Sequence, residues 1–356
     1  MATASVDKVW HDQNTTPGRI DDALREMLAE IHRENDLYYP ARVLNLVVVV
    51  DQQYSGEIAN RLRGVGRFHG SRTIVCKVEQ GRDHLDAVAS ITAPADVGEA
   101  GLGLLRETVI VSCGPQHLGK LDRIVDPLVV SELPTCVWAP HGHDEGVDAL
   151  LALTDVELVD TADETDPAAS IARTEHLAAE SYVVDLSWLR SIPWRERIAA
   201  TFDPVPLRGQ LRLFSALELR IHPESTVAAL LYAGWLASRL GWRTSPLIRR
   251  GDRLEGSASS HRQDVRIAIV PDPTMSVRGF SGLTLETAAG RRLTLDRGAG
   301  GLRAHYSHPR GTEREWTILG ASRGEPGILG EGLRQALLRD PTYRPALTAA
   351  ATMLPR

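Results

Sequence analysis

Lysine is nearly absent from this 356-residue chain: of its 40 basic residues only Lys8, Lys77 and Lys120 are lysines. The others are arginines, whose planar fork favours bidentate ion pairs over solvated point charges and hints at contacts with protein. A basic excess is missing too, since 46 acidic residues leave a net charge of −6. That is the wrong sign for binding driven by phosphate neutralisation, so no nucleic-acid partner is expected. Cysteine is scarce: Cys76, Cys113 and Cys136 are widely spaced. They form no C-x-x-C or zinc-type pair, so buried free thiols are expected, with neither a disulfide framework nor a thiol switch. Long apolar runs are missing as well. The longest, Val227 to Ala237, falls short of the roughly 20 residues that span a bilayer. Residues 1–18 lack the apolar run and cleavage pattern of a secretory signal, so a cytoplasmic protein is expected.

What is present is an ordinary globular composition, 43% apolar and 24% charged, at a length suited to about two domains. Thr16-Pro17 reads as a helix start, and Ile20, Leu24, Met27, Leu28 and Ile31 follow at helical spacing. Val43 to Val50 (VLNLVVVV) is a valine-rich, largely β-branched run, as in a strand buried on both faces. A helix at 55–65 and a strand at 73–78 complete a strand-helix-strand unit, with further strands at 88–92, 107–113, 135–138 and 156–160. Helices are expected at 118–130, 147–153 and 168–180.

In the second half, helices at 193–202 and 226–240, the latter capped by Gly241, flank a long alternating strand from Leu211 to Ile221. The stretch 249–260 reads as a flexible loop. Short alternating runs from Val265 onward form a meander, closed by a helix at 328–338. The fold expected is an α/β N-terminal domain, with a mixed, partly parallel sheet and flanking helices, then an α+β C-terminal domain with an antiparallel β meander. Its divisions are 1–40 (N-terminal segment and helix), 41–180 (α/β), 181–345 (α+β) and 346–356 (C-terminal tail).

Chemical signatures are few. Gly114-Pro-Gln-His-Leu-Gly119-Lys120 has the spacing of a phosphate loop, but Leu121 stands where a magnesium-binding hydroxyl belongs, so a plain turn is expected. Gly64-Val-Gly66 and Gly101-Leu-Gly103 do not extend to a dinucleotide fingerprint. His141-Gly-His143-Asp144, His305 and His308 read as loop residues. No G-x-S-x-G or H-E-x-x-H occurs. No catalytic residue, cofactor or metal is expected.

The rich segment is Asp185-Leu-Ser-Trp188-Leu-Arg190-Ser-Ile-Pro-Trp194-Arg195-Glu-Arg197. Tryptophan and arginine dominate binding hot spots, because rigid rings bury area and guanidinium groups make forked hydrogen bonds. Trp194 recurs with Ile198 and Phe202 on one helical face and is assigned to the core. Trp188, Arg190, Arg195 and Arg197 are the expected partner-binding residues, with Trp188 and Arg190 placed ahead of the helix and the Arg239 to Arg253 cluster as an extension. Trp235 and Trp242 are expected to pack.

At Asp185 to Glu196, with Phe202-Asp-Pro204 and Ala229-Leu-Leu-Tyr-Ala-Gly-Trp-Leu-Ala-Ser-Arg-Leu-Gly-Trp242, the chain resembles the OpcA family of glucose-6-phosphate dehydrogenase assembly proteins. His69-Gly-Ser-Arg72-Thr-Ile, with Gly70 where the family has proline, and the segment from His117 through Pro127 to Pro134 and Trp138 also resemble it. The resemblance covers most of residues 43–243. It implies a non-catalytic protein that binds glucose-6-phosphate dehydrogenase, promotes its active oligomer and so supports NADPH supply. Two other readings remain at this point: a sugar-phosphate or nucleotide-binding enzyme using Gly114 to Lys120, and a scaffold for a different metabolic enzyme.

Overall fold

The structure, a computed structural model, describes residues 7–355 apart from 41, 66–69, 93–102, 262, 310, 312 and 320–324. Gly66, His69, Gly101 and Leu102, singled out in the sequence, lie outside the described residues. The chain divides into two compact units that interleave along the sequence. The first comprises residues 1–159, 180–184 and 325–338; the second comprises 160–179, 185–324 and 339–356.

In the first unit, β1 (Asp7–Asp12) precedes α1 (Pro17–Glu34), whose buried Ile20, Leu24, Met27 and Ile31 form the expected face. Next come β2 (Tyr38–Pro40), β3 (Leu44–Asp51), α2 (Ser55–Val65), β4 (Ser71–Val78), β5 (Asp86–Thr92) and β6 (Gly103–Cys113). From Leu44 to Val50 every residue of β3 is buried, as the β-branched run requires of a central strand. The expected long helix at 118–130 is instead a 3₁₀ turn (Pro115–Lys120), a single turn α3 (Asp122–Val125) and a second 3₁₀ turn (Asp126–Leu128). Pro127 lacks the N–H an uninterrupted helix would need there.

β7 (Thr135–Trp138), α4 (Asp144–Leu150), β8 (Val156–Val159) and β9 (Tyr182–Asp185) follow. Among the described residues the sheet has nine strands in the order β1-β5-β6-β4-β3-β7-β8-β9, with β2 beside β6. The run β6-β4-β3-β7-β8 is parallel, while β5 and β1 are antiparallel at one edge. Two polar clamps fix this layer. Asn45 Nδ2 donates to the carbonyls of Val130 (3.0 Å) and Leu133 (3.2 Å), and its Oδ1 accepts from the Val130 N–H at 3.0 Å. Arg72 Nε donates to the buried Glu107 at 2.7 Å, and its Nη1 to the Leu128 carbonyl at 2.9 Å. A charge as buried as Glu107 is tolerable only when paired in this way.

The second unit holds α5 (Pro167–Glu180), α6 (Leu186–Arg190), α7 (Ile192–Phe202), α8 (Val205–Arg208) and β10 (Phe214–Ile221). The expected strand is therefore shorter, because residues 209–213 turn as a 3₁₀ helix. α9 (Thr226–Leu240) is apolar nearly all round, buried from Val227 to Gly234, and ends at Gly241 with φ +68. The supposed loop at 249–260 is a hairpin, β11 (Ile248–Arg250) with β12 (Arg253–Ser259), turning through Gly251 (φ +64) and Asp252.

β13 (Asp264–Pro271) runs parallel to β10, and β14 (Phe280–Thr287), β15 (Arg292–Gly298), β16 (Gly301–Ser307) and β17 (Glu313–Leu319) form the meander. Leu217, Leu219 and Ile221 share the buried face of this sheet with Ile267, Ile269, Leu283 and Leu285. α10 (Glu325–Leu338) does not close the meander as expected; it packs against α2 in the first unit. α11 (Tyr343–Thr352) occupies most of the expected tail and packs along α9. Among the described residues no helix is long and apolar enough to cross a membrane.

Candidate functional site

In an open parallel sheet, ligands enter the crevice where successive connections leave to opposite sides, here at the ends of β3 and β7. Side chains meet across that position. The Tyr54 ring stacks on His141 with centroids 4.0 Å apart, Arg61 lies 5.2 Å over the Trp138 ring, and His143 Nε2 is 3.3 Å from Asp51 Oδ1. The turn Asp51-Gln-Gln-Tyr54 carries none of the glycines that let a pyrophosphate approach the backbone. His141 and His143 lie near separate carboxylates, Glu57 at 4.0 Å and Asp51. Among the described residues no three His, Cys, Asp or Glu side chains are arranged to hold a metal.

The Gly114 turn is closed on itself. Its N–H donates to His117 Nδ1 at 3.1 Å and its carbonyl accepts from the His117 N–H at 3.0 Å. A Cβ at Gly119 would lie 2.7 Å from Glu145 Oε1, so a carboxylate stands where a phosphate would need open space. Lys120 is exposed and the turn is 3₁₀, which leaves the loop reading without geometric support. The three thiols are buried. Burial pushes all three up, Cys113 to about 11, which keeps them in the unreactive neutral form.

The tryptophan and arginine segment forms a network inside the second unit. Asp185 caps α6, accepting from the Ser187 N–H at 2.9 Å. Trp188 therefore lies within a helix, not ahead of one, and is only 2% exposed. Its Nε1 donates to Asp340 at 2.9 Å, its ring meets Tyr343 edge-on at 5.5 Å, and the Arg195 guanidinium lies 3.6 Å over its face. Arg195 also donates to Ser191 Oγ at 3.0 Å and approaches Asp340 at 3.6 Å. Arg190 grips Asp160 with both ends of its fork, at 2.8 and 2.7 Å, and Ser187 Oγ donates to the same carboxylate at 2.8 Å.

Burial pushes the Asp160 carboxyl up, but the Arg190 hydrogen bonds and charge outweigh it and hold the group below its usual range. Asp185, buried and close to the Asp160 charge, is pushed up to about 6 despite hydrogen bonds from Thr161 and Ser187. Burial lowers Arg195 to about 10 against the pull of Asp340, so it stays charged at neutral pH.

The structure thus brings Trp188, Arg190 and Arg195 together in the interior, where they hold elements in place and present little to a partner. Arg197 is half-buried and its Nε has no hydrogen-bond partner among the described residues. Trp194 and Trp242 are buried and Trp235 is half-buried against Tyr232 at 5.5 Å. Sequence reasoning missed Asp160, Asp340 and Tyr343, which complete the network. Its one local signal was an acidic residue closing the apolar strand at 156–159.

Fold and site together define a protein of two units, an α/β unit with a mixed sheet and an α+β unit with a mostly antiparallel sheet. The chain belongs to the OpcA glucose-6-phosphate dehydrogenase assembly family. Residues 63–176 match the family model described as the glucose-6-phosphate dehydrogenase subunit N-terminal domain, and 181–347 the corresponding C-terminal domain. A "Putative OxPP cycle protein OpcA" of Synechococcus elongatus is 28% identical over 48% of this chain and 39% of its own length. The protein of the same name from Synechocystis is 24% identical over 62% of this chain and 46% of its own. These matches span less than half of either relative. An oxidoreductase from Bacillus cereus overlays with a TM-score of 0.48 at 11% identity, covering 87% of this chain and 95% of its own, and carries no argument about activity.

Proposed function

We propose that this chain is a non-catalytic assembly factor that binds glucose-6-phosphate dehydrogenase and activates it by favouring its active oligomer, within the oxidative pentose phosphate pathway. The observation that carries this is the pair of family matches, which cover 63–176 and 181–347 and are both described as parts of a subunit of that enzyme. Among the four residues first expected at the contact, Arg197 keeps an accessible edge and is the proposed contact.

Such a protein raises activity only through tighter binding to the active dehydrogenase state than to the inactive one; a tenfold preference corresponds to about 1.4 kcal/mol per site. The test is an assay of the dehydrogenase from the same organism at subsaturating substrate, with oligomer mass followed in the same samples. A saturable rise in rate accompanied by a complex or larger oligomer is the expected result. Unchanged rate and mass at excess protein would reject the proposal.

A further inference from the structure

The second unit contains a cleft of about 810 Å³ that the reading above does not use. It is lined by the end of α7, by α8 and the 3₁₀ turn after it, by the end of α9, and by the residues joining β12 to β13. Its apolar wall includes the buried rings of Phe202 and Trp242. Its polar wall carries Arg208, Arg212, Arg239 and His261, with Asp203 as the one carboxylate among the described lining residues.

These cations are not all accounted for by the fold. Arg208 is engaged by Asp203, donating from Nη2 to Oδ1 at 2.9 Å and from Nε to the backbone carbonyl at 2.5 Å. Arg239 sits in the last turn of α9, where a cation is favoured by the helix dipole. Arg212 and His261 have no such explanation. Among the described residues, neither they nor Arg239 take part in an ion pair or a side-chain hydrogen bond. Elsewhere in the unit Arg220 is paired at 2.5 Å with Asp296 and Arg278 at 2.9 Å with Glu224, while among the described residues Arg243, Arg249, Arg253 and Arg266 are unpaired like Arg212 and Arg239. What sets Arg212 and Arg239 apart is their place: both are exposed and line the same recess, so their forks are free to take an anion entering it.

The size and lining fit a small molecule better than a bare ion, since ligand sites of this volume are mostly apolar with a few convergent polar groups. We propose that this cleft binds a small organic phosphate. Its phosphoryl oxygens are taken by the forks of Arg212 and Arg239, with His261 as a further donor, and its carbon body rests against Trp242 and Phe202. The site stands independently of any dehydrogenase partner.

The test is isothermal titration of the full chain alone at low ionic strength with three probes, glucose 6-phosphate, ribose 5-phosphate and ADP, beside glucose and ribose as unphosphorylated controls. At least one phosphorylated probe is expected to bind saturably and its control not. Arg212→Ala with Arg239→Ala should weaken binding at least tenfold with an unchanged unfolding temperature, because both side chains are exposed. Absence of saturable binding for all three probes, equal binding of a control, or undiminished binding by the double variant would each overturn the proposal.

Discussion

At the scale of single residues, the Asp160 and Arg190 pair shows why tryptophan and arginine are ambiguous in a sequence. Both types anchor interfaces and both complete buried polar networks, and only the partners tell which. Those partners lie far along the chain: Asp160 is 30 residues from Arg190, and Asp340 is 152 from Trp188. Arg190→Ala strands a carboxylate whose side chain is 6% exposed. It should cost roughly 3–5 kcal/mol in urea unfolding, and Asp160→Asn in the same chain should recover part of that loss. Asp185 gives a pH signature. Its carboxyl titrates near 6 when folded and near 4 when unfolded, so the folded state binds more protons between those values. Its contribution to stability is therefore present at low pH and is lost as pH rises through about 6. The stability difference between wild type and Asp185→Asn, followed from pH 4 to 7, should move in that direction.

At the scale of elements, periodicity located those whose burial is one-sided or complete. α1, α2, β3 and α9 fall where spacing placed them, because a helical stripe or a β-branched run is a local pattern. The misread elements depend on something outside the window. Pro127 breaks a run that is otherwise apolar at helical spacing. Residues 211–213 alternate like a strand yet turn as a 3₁₀ helix, and Gly251 supplies the positive φ that makes a hairpin of an apparent loop. α11 was invisible as a tail because its small, apolar residues acquire meaning only against α9. A Cβ on Gly234 of α9 would stand 2.3 Å from the Ala346 carbonyl oxygen and 3.0 Å from the Ala350 nitrogen, both of them backbone atoms. Gly234→Ala should force the two helices apart and lower the unfolding free energy by about 1–3 kcal/mol, read from the denaturation midpoint.

At the scale of the whole molecule, the sequence showed the succession of an α/β region and an α+β region, and the family matches divide near the same place, between 176 and 181. The interleaving was not legible, because no local pattern says that a helix after the meander belongs to the first unit. The candidate site was legible in residue type and in its place on the chain, but its burial was not. The arginine-lined cleft was not legible at all, since its lining comes from Ala199 to His261 and converges only in space.

α10 belongs to the first unit although all of that unit's other residues precede position 185. A nascent chain emerges from its N-terminus, at about 5–20 residues per second. The sheet from β1 to β9 can therefore pair while the second unit is still being made, but α2 waits for its covering helix until residue 338 has left the ribosome. During that interval the part of the first unit that α10 covers in the finished fold stays open to solvent.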